Sequence, residues 1–125
     1  MKTEQELIDS IKTFDDARLA TERPDCPDFS NVPEDLRKYF EAQYKMIVIT
    51  EALNDGWNPD WDNSDEWKYY TWFDMSPGSF AYRAALYGPS YSSAGAGSRL
   101  CFRTRALSKY AGRQFIDIWK DLMLK

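Results

Sequence analysis

The residues of this chain that could do chemistry are mainly aromatic and basic side chains that recur in its second half. Residues 67 to 75 and 79 to 87 alternate with a period of two, which predicts two β-strands, and a third short strand is predicted at 99 to 103. Aromatic rings stack on nucleobases and cations pair with phosphates, so an outward face of this kind predicts a surface for single-stranded nucleic acid. The residues that would form it are Lys68, Tyr70, Trp72, Arg83, Tyr87, Arg99 and Arg103.

A basic stripe follows on the predicted last helix. Arg105, Lys109 and Arg113 are spaced i, i+4 and i+8, which puts them on one side of a helix, where they could lie along a phosphate backbone. The competing interpretation is that the rings form a second packed face and that the cations pair with the acidic half. A net charge of −4 favours that interpretation, since nucleic-acid modules are usually strongly basic.

Acidic side chains are concentrated in the first half of the chain. Residues 1 to 66 carry 17 acidic and 7 basic side chains, whereas residues 67 to 125 carry 3 and 9. Such an asymmetry could present a negative surface to a basic protein. The residues of this candidate partner surface are Asp9, Asp15, Asp16, Glu22, Glu34 and Asp35. An ordinary solvated helix surface is the competing interpretation.

Two loops match ligand-binding motifs only in part. The loop that holds Asp60, Asp62 and Asp65 offers hard oxygen ligands of the kind calcium prefers, but it lacks the glycine and the final carboxylate of an EF-hand. The segment 92–99, SSAGAGSR, could cradle a phosphate with its amides, yet it lacks the Gly-Lys-Ser/Thr ending of a P-loop. We therefore expect a solvated turn and a plain connection, with no metal and no cofactor.

The chain contains no histidine, which excludes most familiar catalytic systems. Ser-His-Asp and Cys-His nucleophile systems and His-containing zinc sites all need that residue. The two cysteines, Cys26 and Cys101, cannot form a four-sulfur site, and we expect reduced thiols. The first residues lack the apolar core of a signal peptide, and no segment approaches the roughly 20 apolar residues of a membrane span. We therefore predict a cytoplasmic protein without enzymatic activity.

The elements that must position these residues follow from capping signals and periodicity. Thr3 and Thr13 are predicted to cap two short helices, the first near residues 4 to 12, and Pro33 begins a long helix that ends near residue 54. Thr104 is predicted to cap one final helix, whose apolar positions have helical spacing as far as residue 122.

Together these elements predict one α+β domain, residues 1–125, in the order α-α-α-β-β-β-α. A three-stranded antiparallel sheet would pack against the long central helix and the C-terminal helix. A single domain is expected because 125 residues can bury one core but are too few to divide.

Three segments also resemble those of a known protein family. The motifs are EALNDGWNPDW at residues 51–61, KYYTWF at 68–73 and GSRLCFRTRALSKYAGRQFIDIWKD at 97–121. They are similar to motifs of small uncharacterised proteins from Bacteroidales genomes and their bacteriophages, and the resemblance spans most of residues 33–125. It implies a phage or mobile-element context and carries over no catalytic residue, because the family has no assigned activity.

We interpret the chain as a non-enzymatic binding module of a phage or mobile element, with nucleic acid as its leading ligand. The first alternative is a protein-binding inhibitor of a host or defence factor that acts through the acidic N-terminal helices. A virion structural protein and a small enzyme or nucleotide-binding protein are further alternatives.

Overall fold

The computed structural model describes residues 2–125, in which helices surround one two-stranded antiparallel sheet. The fold is α+β, as the sequence predicts. The helices and strands in this range are α1 (Glu4–Ser10), α2 (Phe14–Thr21), α3 (Glu34–Asn54), β1 (Lys68–Asp74), β2 (Ala81–Gly88), α4 (Arg105–Gln114) and α5 (Ile116–Met123). None of these helices is both long enough and apolar enough to cross a membrane, over the range described.

The three predicted threonine caps are confirmed, because they depend on local hydrogen bonds. Thr3 caps α1 with its hydroxyl, and Thr13 and Asp16 exchange the two bonds of a capping box at α2. Thr104 caps α4, and its hydroxyl also donates to Glu4 Oε2 at 3.0 Å. The start of α4 is therefore tied to α1.

The core of the protein lies along α3. Met46, Val48, Ile49 and Leu53 of this helix are all buried, so that its second half is covered on several sides. Helices α2 and α5 pack against it. Each fully buried aliphatic side chain of this kind contributes about 1.5–3 kcal/mol relative to an exposed one, so α3 is the main apolar support of the fold.

The predicted third strand at residues 99–103 is wrong. In the described part of the chain, this segment makes one isolated bridge, in which Phe102 and Tyr69 exchange backbone hydrogen bonds of 2.8 and 3.1 Å. Leu100 is not extended, with φ −125° and ψ 23°, because it leaves the 3₁₀ turn Gly97–Arg99 directly before it. The sheet therefore has two strands, and the segment touches its edge at a single residue.

The side chain of Asn54 holds this segment on α3 instead. Its Nδ2 donates to the Cys101 carbonyl at 2.9 Å, and its Oδ1 accepts from the Arg103 N–H at 3.0 Å. Asn54 is buried, so both bonds are shielded from water. The amide satisfies backbone groups that a further strand would otherwise have paired.

The predicted single C-terminal helix is also wrong. Phe115, with φ −108° and ψ 30°, separates α4 from α5. Trp119 Nε1 donates across the break to the Ala111 carbonyl at 3.1 Å. Helix α4 packs on the sheet, whereas α5 packs on α3. The break therefore allows the apolar side chains before and after Phe115 to pack against different elements. The element order is consequently α-α-α-β-β-α-α.

The register of the hairpin decides which side chains share a face. Tyr69 lies opposite Tyr87, and Tyr70 lies opposite Leu86. Since opposite residues of an antiparallel pair project to the same side, Tyr87 shares a face with Tyr69 and not, as expected, with Tyr70. A β-bulge after Trp72 shifts the register in the rest of the hairpin.

Helix α4 approaches the face that holds Tyr69 and Tyr87, and the closest approach is at Gly112. A Cβ atom at this position would lie 2.5 Å from Tyr82 Cδ1 and 2.6 Å from Thr71 Cγ2. One turn away, the Thr71 and Ser108 hydroxyls are 3.0 Å apart and joined by a hydrogen bond. The absence of a side chain at Gly112 therefore sets the distance between α4 and the hairpin.

We expect Gly112→Ala to lower the free energy of unfolding by up to about 2 kcal/mol, measured by urea denaturation. Overpacking costs about 1–3 kcal/mol and outweighs the gain of about 1 kcal/mol in helix propensity. Gly95→Ala is the matched control, since a Cβ atom added at that position would have no other atom within 4 Å. Equal midpoints for the two variants would contradict a tight contact between α4 and the hairpin.

Candidate nucleic-acid interface

The sheet face that was expected to point outward is covered by the chain after β2. Tyr70 Oη donates to the Tyr91 carbonyl at 2.8 Å, and Lys68 Nζ donates to the Pro89 carbonyl at 2.6 Å. Lys68 is 0% exposed and Tyr70 is 8% exposed. The expected exposure of these two residues is therefore wrong, because strand alternation separates the two faces without indicating which of them a later loop will cover.

The Lys68 ammonium is enclosed by oxygen atoms. Its Nζ lies 2.5 to 3.2 Å from the carbonyl oxygens of Asp60, Asn63, Glu66 and Pro89. It also lies 3.3 Å from Glu66 Oε1. An ammonium has three donors, so these oxygens share them and replace the hydration shell that burial removes. The side chain predicted to contact a nucleic-acid ligand is thus an internal structural cation.

The Glu66 carboxylate completes this enclosure. It accepts from the Asp60 N–H at 2.7 Å and from Trp57 Nε1 at 3.2 Å. Partial burial opposes its ionisation, but these two hydrogen bonds and the Lys68 ammonium outweigh burial and hold the pKa of Glu66 below its usual range. The Lys68 Nζ also lies 5.3 Å from the centre of the Trp61 ring, which adds a cation–π contact.

The acidic loop is organised around Lys68 by turns. Asp60 Oδ1 accepts from the Asp62 N–H, and Asn63 Oδ1 accepts from the Asp65 N–H, each at 3.0 Å. Asp60, Asp62 and Asp65 are exposed. Across residues 2–125, no group of three or more acidic or cysteine side chains has the arrangement of a metal site. The carbonyl oxygens of this loop that could have bound a metal ion instead accept hydrogen bonds from the Lys68 ammonium.

A second surface does bring aromatic and basic side chains together. The Arg105 guanidinium lies over the rings of Tyr69 and Tyr87, with its Cζ 5.5 and 5.2 Å from their centres. Tyr87 in turn meets Trp67 edge-on, with ring centres 4.8 Å apart. Trp67 is 46% exposed and Tyr87 is 48% exposed, so both rings are open to solvent on one side.

The basic stripe of α4 extends this surface. Arg113 lies over Tyr82, with its Cζ 5.2 Å from the ring centre, and Lys109 is exposed one turn before it. Among the salt bridges of the described residues, none involves Arg105, Lys109 or Arg113. We call this surface the α4 face. Its members are Trp67, Tyr82, Tyr87, Arg105, Lys109 and Arg113.

Four other residues of the expected interface lie away from the stripe. Arg83 is the extra residue at the bulge and pairs with Asp74 at 3.0 Å. Arg99 lines a different cavity of about 200 Å³, beside α3. The Arg103 N–H is bound to the Asn54 side chain, and Trp72 lines the cavity between β1, α3 and α5. The structure therefore gathers Tyr87, Arg105, Lys109 and Arg113 from the predicted set and not the others.

Two members of the α4 face were not predicted. Strand alternation assigns Trp67 to the core side of β1 and Tyr82 to the core side of β2. Trp67 does lie on the Tyr69 side of the sheet, where its ring meets Tyr87, but it is exposed rather than part of the core. The period of two fails only at Tyr82, because the bulge at Arg83 brings Tyr82 to the same side as Tyr87. The pairing of Tyr69 with Tyr87 would have identified this face, but it can be known only from the register of the hairpin.

The acidic residues of α1 and α2 have local roles. Asp9 accepts from Gln5 within α1, and Asp15 pairs with Arg18 at 2.9 Å. Asp16 accepts from the N–H of Lys12 and of Thr13, and these bonds lower its pKa although partial burial opposes its ionisation. These carboxylates therefore stabilise their own helices.

The remaining acidic residues lie at opposite ends of α3. Glu22 follows α2, next to Arg23, and the Arg23 guanidinium binds Glu51 near the end of α3 with bonds of 2.8 and 3.0 Å. Glu34 and Asp35 occupy the first turn of the same helix. At about 1.5 Å per residue, the two ends are some 25 Å apart. The predicted acidic set does not form one patch.

The cysteines offer no reactive thiolate. Both are free thiols. Burial raises the pKa of Cys101 to about 11 and also raises the pKa of Cys26. Both side chains are therefore protonated at neutral pH, and neither is prepared to act as a nucleophile.

Comparison with known proteins identifies no relative. No protein-family model, curated protein or solved structure matches the chain. The function of the α4 face is therefore inferred from its own contacts and charges.

We expect Lys68→Met to lower the free energy of unfolding by about 3–5 kcal/mol, measured by urea denaturation. The substitution roughly keeps the length of the side chain, but it leaves the four carbonyl oxygens without the ammonium donor and removes the cation beside the Glu66 carboxylate. Lys109→Met is the control, since an exposed lysine with no ion pair should change stability by less than about 0.5 kcal/mol. Similar losses for both variants would mean that the enclosure of Lys68 contributes nothing specific.

The lowered pKa of Glu66 gives a second expectation, for pH dependence. A carboxylate whose pKa is lower in the folded state adds stability above its usual pKa of 4.5, and that stability is lost as the pH falls through the folded value. We expect the urea midpoint of the wild type to fall more steeply below about pH 4.5 than that of Glu66→Gln. Asp62→Asn, at an exposed position of the same loop, should keep the wild-type slope. Parallel curves for wild type and Glu66→Gln would contradict this role.

Proposed function

We propose that the protein is a non-enzymatic module that binds single-stranded nucleic acid through the α4 face. The observation that carries this proposal is that the cations of the α4 face have no carboxylate partner within residues 2–125. Arg105, Lys109 and Arg113 lie on one side of a helix and form no salt bridge with any carboxylate in residues 2–125. The acidic half of the chain therefore leaves their charge available to phosphate.

The spacing of the stripe suits a polynucleotide backbone. Residues four apart on a helix are separated by about 6 Å along its axis. One strand of B-form DNA has a phosphate for about every 3.4 Å of its axis, so one cation would meet roughly every second phosphate. Arg105 and Arg113 are further held by the rings beneath them, which reduces the conformational freedom lost on binding.

The exposed rings would supply sequence-independent contacts to bases. Trp67 and Tyr87 form an edge-to-face pair beside Arg105, and each has an open side. Stacking of a base on an aromatic ring contributes about 1–3 kcal/mol and tolerates any sequence. The α4 face thus offers phosphate contacts along the helix and stacking contacts at the end of the helix nearest Arg105.

The biological setting that we propose is a bacteriophage or mobile element. The segments at residues 51–61 and 97–121 support it through their resemblance to small proteins of Bacteroidales genomes and their bacteriophages. Residues 97–121 include the three cations of the stripe, so the resemblance extends to the α4 face.

The proposal is tested by fluorescence anisotropy with a labelled oligothymidine and a labelled duplex, from about 50 to 200 mM salt. Three phosphate contacts to a single strand predict a slope of log K against log salt near −2, since each contributes about −0.7. Lys109→Gln should reduce that slope by about 0.7, whereas Lys120→Gln, an exposed lysine on α5, should leave it unchanged.

A pair of aromatic substitutions distinguishes the contribution of base stacking from that of charge. Trp67→Ala should weaken binding by about 1–3 kcal/mol without changing the salt slope, because a ring carries no charge. Tyr91 is 69% exposed and lies outside the α4 face, so Tyr91→Ala should bind like the wild type. No binding at 50 mM salt would reject the proposal and make a protein partner of the acidic helices the next hypothesis. Equal slopes for the two lysine variants would reject the role of the stripe.

A further inference from the structure

A cavity of about 290 Å³ opens beside β1, on the side of the strand that does not face β2. Tyr39 of α3, Trp72 of β1 and Met123 of α5 line it, and all three are exposed large side chains. This volume is near the lower end of ligand pockets, which span about 300–1,000 Å³. The cavity is therefore large enough for a ligand of one or two rings.

The cavity exists because the third strand does not form. The segment that pairs with Tyr69 through Phe102 bends away at Leu100, the residue that would otherwise lie opposite Thr71. Leu100 and Thr71 both line the cavity. The space between them is the place that a longer third strand would have occupied.

The edge of β1 in this space presents a backbone donor and acceptor. In an antiparallel ladder, successive residues direct their N–H and C=O groups to alternate sides of the strand. Tyr69 directs both groups to Phe102, away from β2, so Thr71 directs both of its groups to the same side. Over residues 2–125, no hydrogen bond joins the Thr71 N–H or C=O to a residue on that side.

The lining of the cavity selects for an uncharged ligand. All of its lining residues are uncharged, although 29% of the chain consists of Asp, Glu, Lys and Arg. Two of them, Gln43 and Ser93, have side chains that form no hydrogen bond within the described chain, and both can donate or accept. A charged ligand would lose its hydration here without gaining a partner.

We propose that this cavity binds a neutral, planar nitrogen heterocycle of nucleobase size. The Thr71 N–H donates to a ring nitrogen, and the Thr71 C=O accepts from an adjacent amino group or ring N–H. Trp72 and Tyr39 supply aromatic contact to the plane of the ligand. This site is separate from the α4 face and does not depend on the function proposed for that face.

The test is a titration of the ¹⁵N-labelled protein with adenosine, followed by NMR at the Thr71 amide. We expect saturable binding and a downfield shift of the Thr71 amide proton as it donates to the ligand. N⁶,N⁶-dimethyladenosine lacks the exocyclic donor, so it should bind about 5- to 150-fold more weakly, because the Thr71 carbonyl is then buried without a partner.

Trp72→Ala should weaken adenosine binding about 5- to 150-fold through loss of stacking, and this exposed position should leave the fold intact. Leu19→Ala, at a position of α2 that is 68% exposed and lies outside both the cavity and the α4 face, should leave the titration unchanged. The inference is overturned if adenosine at millimolar concentration does not move the Thr71 amide, or if Trp72→Ala and Leu19→Ala titrate alike. A shift of that amide with protein concentration alone would assign the cavity to a second copy of the chain, and would equally overturn it.

Discussion

The burial of the Lys68 ammonium is the interaction on which the rest of this structure depends. A buried charge without partners is far too costly to retain, so oxygen atoms from separate parts of the chain must converge on it. They come from the loop at residues 60–66 and from Pro89, on either side of the hairpin. This convergence fixes the start of β1, folds the loop after α3 onto that strand, and draws the chain after β2 across one face of the sheet. One face of the hairpin is consequently closed to large ligands.

The closed face also determines where positive charge is available. Lys68 is used internally and Arg83 is paired with Asp74, whereas the cations of α4 have no carboxylate partner within the described chain. A guanidinium over an aromatic ring, as at Arg105, is partly desolvated but not neutralised, so its charge can still act on a phosphate. A net charge of −4 does not oppose this, because charges beyond the Debye length of about 8 Å are largely screened at physiological salt. The local arrangement therefore outweighs the overall charge.

Features that depend on neighbouring residues could be predicted from the sequence, and features that depend on distant ones could not. The caps at Thr3, Thr13 and Thr104 were predicted because each depends only on hydrogen bonds within a single helical turn. The basic stripe was predicted for the same reason, since helical spacing alone places it. The burial of Lys68 required knowledge of a loop some twenty residues later, which no alternation pattern contains. The third strand failed similarly, because the Asn54 side chain, about fifty residues earlier, holds the segment that would have formed it.

Strand β1 lies at the boundary between two surfaces that select for different chemistry. The ring of Tyr69 supports Arg105 on the α4 face, and two residues later the backbone of Thr71 lines an uncharged cavity. At about 3.4 Å per residue these features are only about 7 Å apart along the strand. The α4 face acts through charge, whose long-range effect is screened by salt. The cavity acts through hydrogen bonds, which require direct contact. Because the two share a backbone but use different side chains, changes at Trp67 and Trp72 can separate them where a change that disturbs the hairpin would affect both.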